Sequence, residues 1–82
     1  MSGRWSEGVE LNIDRFNVYR TIYTTADAAY YLLHKWPVES GKECSRARRV
    51  CLAVLEGRRP ADDAREAFVA AAKEAGLYVP SQ

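Results

Sequence analysis

Apolar residues change their spacing along this chain, and the change divides it into elements. Val9, Leu11 and Ile13 alternate with Glu10 and Asn12, the period-two signal of a strand with one buried face. Val18 to Tyr23, V-Y-R-T-I-Y, is rich in β-branched and aromatic residues and predicts the returning strand. Its buried face is ambiguous: Val18 and Ile22 share one side with Arg20, while Tyr19, Thr21 and Tyr23 share the other. We place Val18 and Ile22 inward, with Arg20 near an edge. Asp14-Arg15-Phe16-Asn17 reads as the turn between the strands, because Asp and Asn supply local side-chain hydrogen bonds. Phe16 is expected to cover the edge of the core. A lone hairpin is not stable in water, so this one must pack on helices.

From Ala26 the spacing becomes helical. In A-D-A-A-Y-Y-L-L-H-K-W-P, positions Ala26, Ala29, Leu32, Leu33 and Trp36 fall on one face at 100° per residue. Asp27, Tyr31, His34 and Lys35 fall on the other, with Tyr30 at the border. Thr24 or Thr25 is placed to be the N-cap, Asp27 suits the positive N-terminal end, and Pro37 stops the helix near Trp36. After a loop containing Gly41, a second helix is predicted over Glu43–Glu56. Cys44, Ala47, Cys51, Val54 and Leu55 form its apolar face, and Arg46, Arg49 and Glu56 lie opposite. Gly57 is its left-handed terminator, and Arg58-Arg59-Pro60 leads into a third helix over Ala61–Ala75. There Ala64, Ala67, Phe68, Ala71, Ala72 and Ala75 make a face of small residues around one aromatic, suited to close helix packing. Asp62 and Asp63 favour its N-terminal end, and Gly76 with Leu77 forms its C-terminal cap. Leu77-Tyr78-Val79 is expected to dock as an extended tail. The predicted fold is α+β: an antiparallel β-hairpin packed against three α-helices, in the order ββααα. Residues 9–79 form the domain, behind a flexible N-terminal arm over 1–8 in which Trp5 is the exception, folding back over the core or marking a contact surface.

The order of these signals resembles a known family. A-D-A-A-x-x-L-L-x-x-W-P (Ala26–Pro37), then a Cys51-containing helix ending in L-E-G (Leu55–Gly57), then A-R-E-A-F-V-A-A-A-K-E-A-G (Ala64–Gly76) is similar to domain-of-unknown-function family 982, small proteins of rhizobia and related soil bacteria. The resemblance covers roughly Val9 to Val79. It implies a compact α+β domain and no catalytic residues.

Composition narrows the function classes. Eighty-two residues make one domain with a small core. A net charge of +1 lacks the basic excess of a general nucleic-acid binder. No apolar run reaches the roughly 20 residues that span a bilayer, and no signal peptide is visible, so the expected location is cytoplasmic. Cys44 and Cys51, seven residues apart on one helix, stand about 10.5 Å apart along its axis, beyond disulfide reach. They read as reduced, buried thiols, and C-x6-C matches no zinc spacing. His34, the single histidine, has no nucleophile tied to it by any motif and reads as a surface residue. No catalytic residue, metal ligand or cofactor is assigned.

One concentration of charge stands out. Lys42–Arg59 holds six basic and two acidic residues, a net +4, whereas the remainder carries six basic and nine acidic, a net −3. Arg46, Arg49, Arg58 and Arg59, with Arg48 beside them, are candidates to bind an acidic partner or phosphate. The bland alternative is pairing with Asp62, Asp63, Glu66 and Glu74, or plain solvation. Trp5, Tyr19, Tyr23 and Tyr31 are candidate interface aromatics. The expectation is a non-enzymatic protein-interaction or regulatory module, with homodimerisation as one form of it. Nucleic-acid or phosphate-ligand binding through the arginines is the alternative, and an enzyme or metal site at His34 comes third.

Overall fold

The computed structural model describes residues 4–14, 18–37 and 41–80. Strand β1 (Arg4–Asp14) pairs antiparallel with β2 (Val18–Thr24). Helix α1 (Thr25–Tyr30) continues directly into a π turn (Tyr31–Lys35), and α2 (Lys42–Leu55) and α3 (Ala61–Ala75) follow. A third strand, β3 (Tyr78–Val79), lies antiparallel on the other side of β1, giving the sheet order β2-β1-β3. The α+β class and the leading hairpin agree with the sequence, and the docked tail proves to be a strand. The predicted hairpin turn with Phe16 lies outside the described residues.

Val9, Leu11 and Ile22 are buried beneath the helices, and Ile13 packs at their margin. Tyr19, Thr21 and Tyr23 are exposed on the open face of the sheet, so the ambiguous strand turns Ile22 inward. Arg20 is exposed on β2, which is an edge strand. The core is centred on Phe68, which is fully buried and touches two tryptophans, with ring centroids 5.5 Å away for both Trp5 and Trp36. The alanines of α3 let α2 come close and bury Cys44, Ala47, Cys51 and Val54.

Residues 4–8, expected within a loose arm, are the first part of β1. Trp5 explains why. The residue is 4% exposed, and Nε1 donates to Oγ1 of Thr25 at 3.0 Å, satisfying the one polar residue that is buried among those described. Ser6 bonds the Asp62 carboxylate, and Arg65 Nε donates to the Glu7 carbonyl at 3.0 Å, fastening the strand to α3. None of these ties has a local sequence signal, because each joins residues far apart in the chain.

The helix ends follow local chemistry. Thr24 Oγ1 accepts from the Asp27 N–H at 3.1 Å and caps α1. Gly57 (φ +79°) and Gly76 (φ +74°) terminate α2 and α3 in left-handed geometry. In each case the next residue's N–H returns to the carbonyl five residues before it: Arg58 to Ala53 at 2.8 Å and Leu77 to Ala72 at 2.9 Å. The start of α2 is different. Its N-cap is Gly41, which has no side chain to offer, and Glu74 of α3 does the capping instead. The Glu74 carboxylate accepts from the Glu43 N–H (3.1 Å) and the Cys44 N–H (3.2 Å). A Cβ on Gly41 would collide with that carboxylate.

The first helix is rotated from its predicted orientation. Its inward residues are Thr25, Ala28 and Leu32, with Trp36 half-buried; Ala26 and Leu33 face out, and Tyr31 packs against the core. Two causes act together. Thr25 is admitted to the core because Trp5 satisfies its hydroxyl. The π turn then adds a residue to the last turn, so the 100° step no longer applies to residues 31–35. Trp36 is extended (φ −70°, ψ +125°), as Pro37 requires.

Candidate functional site

Helix α2 carries two apolar stripes. The first, Cys44, Ala47, Cys51 and Val54, is buried in the core where α2 packs on α3 and α1. The second runs along its shoulder, where Arg48, Leu52 and Leu55 follow one another at i, i+4 and i+7. That shoulder faces α1 and the π turn, from which Ala29 and Leu33 project. These residues with Arg49 line an open groove of about 340 Å³. Leu33 is 61% exposed, Leu52 54% and Leu55 49%. Leu33 and Leu55, expected in the core, are therefore surface residues. Periodicity places them among apolar residues of their helices, yet among the described residues nothing covers these two side chains.

Arg48 joins the walls of the groove. Its Nε and Nη2 donate to the Leu32 carbonyl at 3.3 and 2.8 Å. In the i→i+5 register of a π turn that carbonyl looks to residue 37, and Pro37 has no N–H. The guanidinium replaces the missing donor and ties α2 to the turn.

The four arginines singled out from sequence come together. Arg46, Arg49, Arg58 and Arg59 border a second shallow groove of about 510 Å³ with Val50, Leu52 and Ala53. Three of them have carboxylate partners. Arg46 pairs with Glu43 (3.7 Å), Arg58 Nε donates to Glu56 (2.9 Å), and Arg59 pairs with Asp63 (3.1 Å). These exposed pairs contribute little stability, about 0–1 kcal/mol each. Arg49 has no carboxylate within 4 Å among the described residues. Together with Leu52 it forms the ridge shared by the two grooves.

The aromatic candidates separate. Trp5 belongs to the core, 4% exposed, and Tyr31 is half-buried against it. Tyr19 (47% exposed) and Tyr23 lie on the open sheet face, on the far side from the core. The Tyr23 ring lies over Gly8, where a Cβ would come within 2.6 Å, so part of its role is to cover backbone. Tyr30, half exposed, packs on His34 with centroids 5.0 Å apart. His34 has no nucleophile beside it among the described side chains.

Cys44 and Cys51 are free and buried. Burial pushes the Cys51 thiol up to about 11, so at neutral pH it is a protonated, unreactive group. Among the described residues no three His, Cys, Asp or Glu side chains gather to hold a metal ion, and no helix is long and apolar enough to cross a membrane.

Comparison with known proteins adds the family. The model of a family described as "Protein of unknown function (DUF982)" matches residues 7–79. The chain belongs to the DUF982 family. The match spans nearly the whole domain, from β1 to β3, as the W-P, A-R-E-A-F and E-A-G motifs implied. The NMR structure of Agrobacterium tumefaciens protein Atu1219, a structural-genomics target, is similar to this DUF982 chain at 28% identity. It has a TM-score of 0.79, over 98% of this chain and 79% of that one. No functionally curated protein matches the chain.

Proposed function

We propose that this DUF982 domain is a small, non-enzymatic protein-interaction module whose docking surface is the groove between the π turn and α2. One observation carries the reading: Leu33, Leu52 and Leu55 are each about half exposed or more and surround a single groove. Scattered apolar residues on a surface are ordinary, whereas a contiguous apolar groove rimmed by charge marks an interaction site. Covering the remaining half of three leucines would supply about 3 kcal/mol, enough to make them the centre of a modest interface. Two reduced thiols in the core suit a cytoplasmic setting.

The test is capture that depends on the site. Wild-type protein, a Leu52→Ser/Leu55→Ser variant and a Tyr19→Ser/Tyr23→Ser variant serve as baits, each shown to unfold at the same urea concentration. A partner retained by the wild type and the tyrosine variant, and lost from the leucine variant, supports the groove. Identical capture by all three baits overturns it.

Self-association is the second form of the reading, and the open edge of β2 is its surface. Arg20, on the inward face of that edge, opposes strand-to-strand pairing. Light scattering that holds at 9.3 kDa over a wide concentration range removes it. Nucleic-acid or phosphate binding is favoured by one fact, the convergence of four arginines on one groove. The absence of salt-sensitive retention on DNA or RNA removes that alternative.

A further inference from the structure

We infer that the occupant of the groove is an acidic amphipathic helix of another protein, held by its apolar stripe on Leu33, Leu52 and Leu55 and by its carboxylates on Arg48 and Arg49. The inference rests on the docking reading above and adds the chemistry of the partner.

The charge around the groove selects the partner's sign. Three arginines of the Lys42–Arg59 segment have carboxylates within 4 Å. The two that line the apolar groove do not, among the described residues. Arg49 has no acidic partner, and Arg48 is bonded to a carbonyl, which leaves its positive charge uncompensated. An occupant that covered the leucines with neutral groups would bury two guanidinium groups beside apolar surface with no counter-charge, a costly arrangement. Carboxylates at the margin of the occupant remove that cost and make bidentate pairs.

Geometry selects its conformation. Leu33, Leu52 and Leu55 line the groove together with Arg48 and Arg49, with Arg49 one residue round the helix from the Arg48–Leu52–Leu55 row. In an extended segment, side chains alternate by about 180°, so carboxylates next to apolar residues would point away from the arginines. In a helix, residues flanking an apolar stripe lie about 100° to its side, within reach of the groove wall. Leu52 and Leu55, one turn apart on α2, match apolar residues at i and i+3 or i+4 on such a helix. A second copy of this chain is a poorer occupant. A two-fold pairing through the groove brings both copies of Arg48 and Arg49 into one interface, and no acidic residue among those described lines the groove to meet them.

The experiment is display selection of random peptides of roughly 16 residues, about 24 Å of helix. They are selected on the wild-type domain and counter-selected on a Leu52→Glu variant of equal stability. The expected winners carry large apolar residues at i, i+3 or i+4 flanked by Asp or Glu. A winning peptide, made synthetically, should lose about tenfold or more in affinity against Arg49→Glu and weaken as salt rises. Winners that are neutral or basic, or that bind Arg49→Glu unchanged, overturn the acidic-helix inference and leave the groove reading standing. Failure to recover any peptide dependent on Leu52 overturns both. DNA retention abolished by Arg49→Glu and untouched by Leu52→Ala also overturns it, in favour of a phosphate ligand.

Discussion

Removing the Glu74 carboxylate tests whether one helix of this domain caps another. In the structure Glu74 accepts from two N–H groups of the first turn of α2, at 3.1 and 3.2 Å, and Gly41 leaves the space for it. Losing an N-terminal cap costs about 1 kcal/mol, and losing a negative charge at a helix N-terminus about 0.5 kcal/mol. Glu74 is largely exposed, so solvent takes over part of both roles. We expect Glu74→Ala to destabilise the domain by about 1 kcal/mol, a fall of roughly 4–8 °C in Tm for a chain of this size. Gly41→Ala should cost a similar amount by displacing the carboxylate, since its backbone (φ −112°, ψ 178°) is ordinary extended geometry for alanine. In the Glu74→Ala background the same glycine substitution should then cost almost nothing. Urea unfolding followed by tryptophan fluorescence reads all four proteins, because Trp5 and Trp36 both lie against Phe68. The coupling energy should be near 1 kcal/mol. Effects that add to within about 0.3 kcal/mol would refute the cap and its glycine together.

Two further predictions use the same assay. Trp5→Phe deprives the fully buried Thr25 hydroxyl of its donor and should cost about 1–2 kcal/mol. Adding Thr25→Val should restore about 1 kcal/mol of that, and a second change that only worsened stability would refute the pairing. Cys51 predicts an alkaline dependence. Its folded value, about 11, lies above its ordinary value of 9.0, so the thiol form belongs to the fold. Stability is whole below pH 9 and is lost as pH rises through about 11, by up to about 3 kcal/mol. Unfolding free energy against pH should therefore fall more steeply for wild type than for Cys51→Ala, and parallel curves would contradict this.

The parts of the fold legible in the sequence are those written in neighbouring residues. Helix α3 runs over the predicted Ala61–Ala75, because Pro60, Asp62, Asp63, Gly76 and Leu77 are local start and stop signals. Gly57 was legible for the same reason, and the N-cap of the first helix was narrowed to Thr24 or Thr25, of which Thr24 is the cap. Trp5 was not assigned to a strand, since its hydrogen-bond partner stands twenty residues on and its stacking partner in the last helix. The π turn left only one faint trace, a proline five residues after Leu32. The arginine cluster was visible as charge. Which arginines keep an uncompensated charge was not, because that depends on where Glu43, Glu56 and Asp63 come to lie. The groove leucines show the general limit. Periodicity identifies an apolar stripe, and only the packing of other elements decides whether it is covered.

Leu77 joins two kinds of structure through a single residue. Its N–H closes the end of α3 on Ala72, and its carbonyl accepts from the Asn12 N–H at 2.8 Å, at the start of the β1–β3 pairing. Peeling the short third strand from the sheet therefore also loosens the last turn of α3, and fraying of that helix releases the strand. The two should open as one cooperative unit, with amide protons of Asn12 and Leu77 exchanging together.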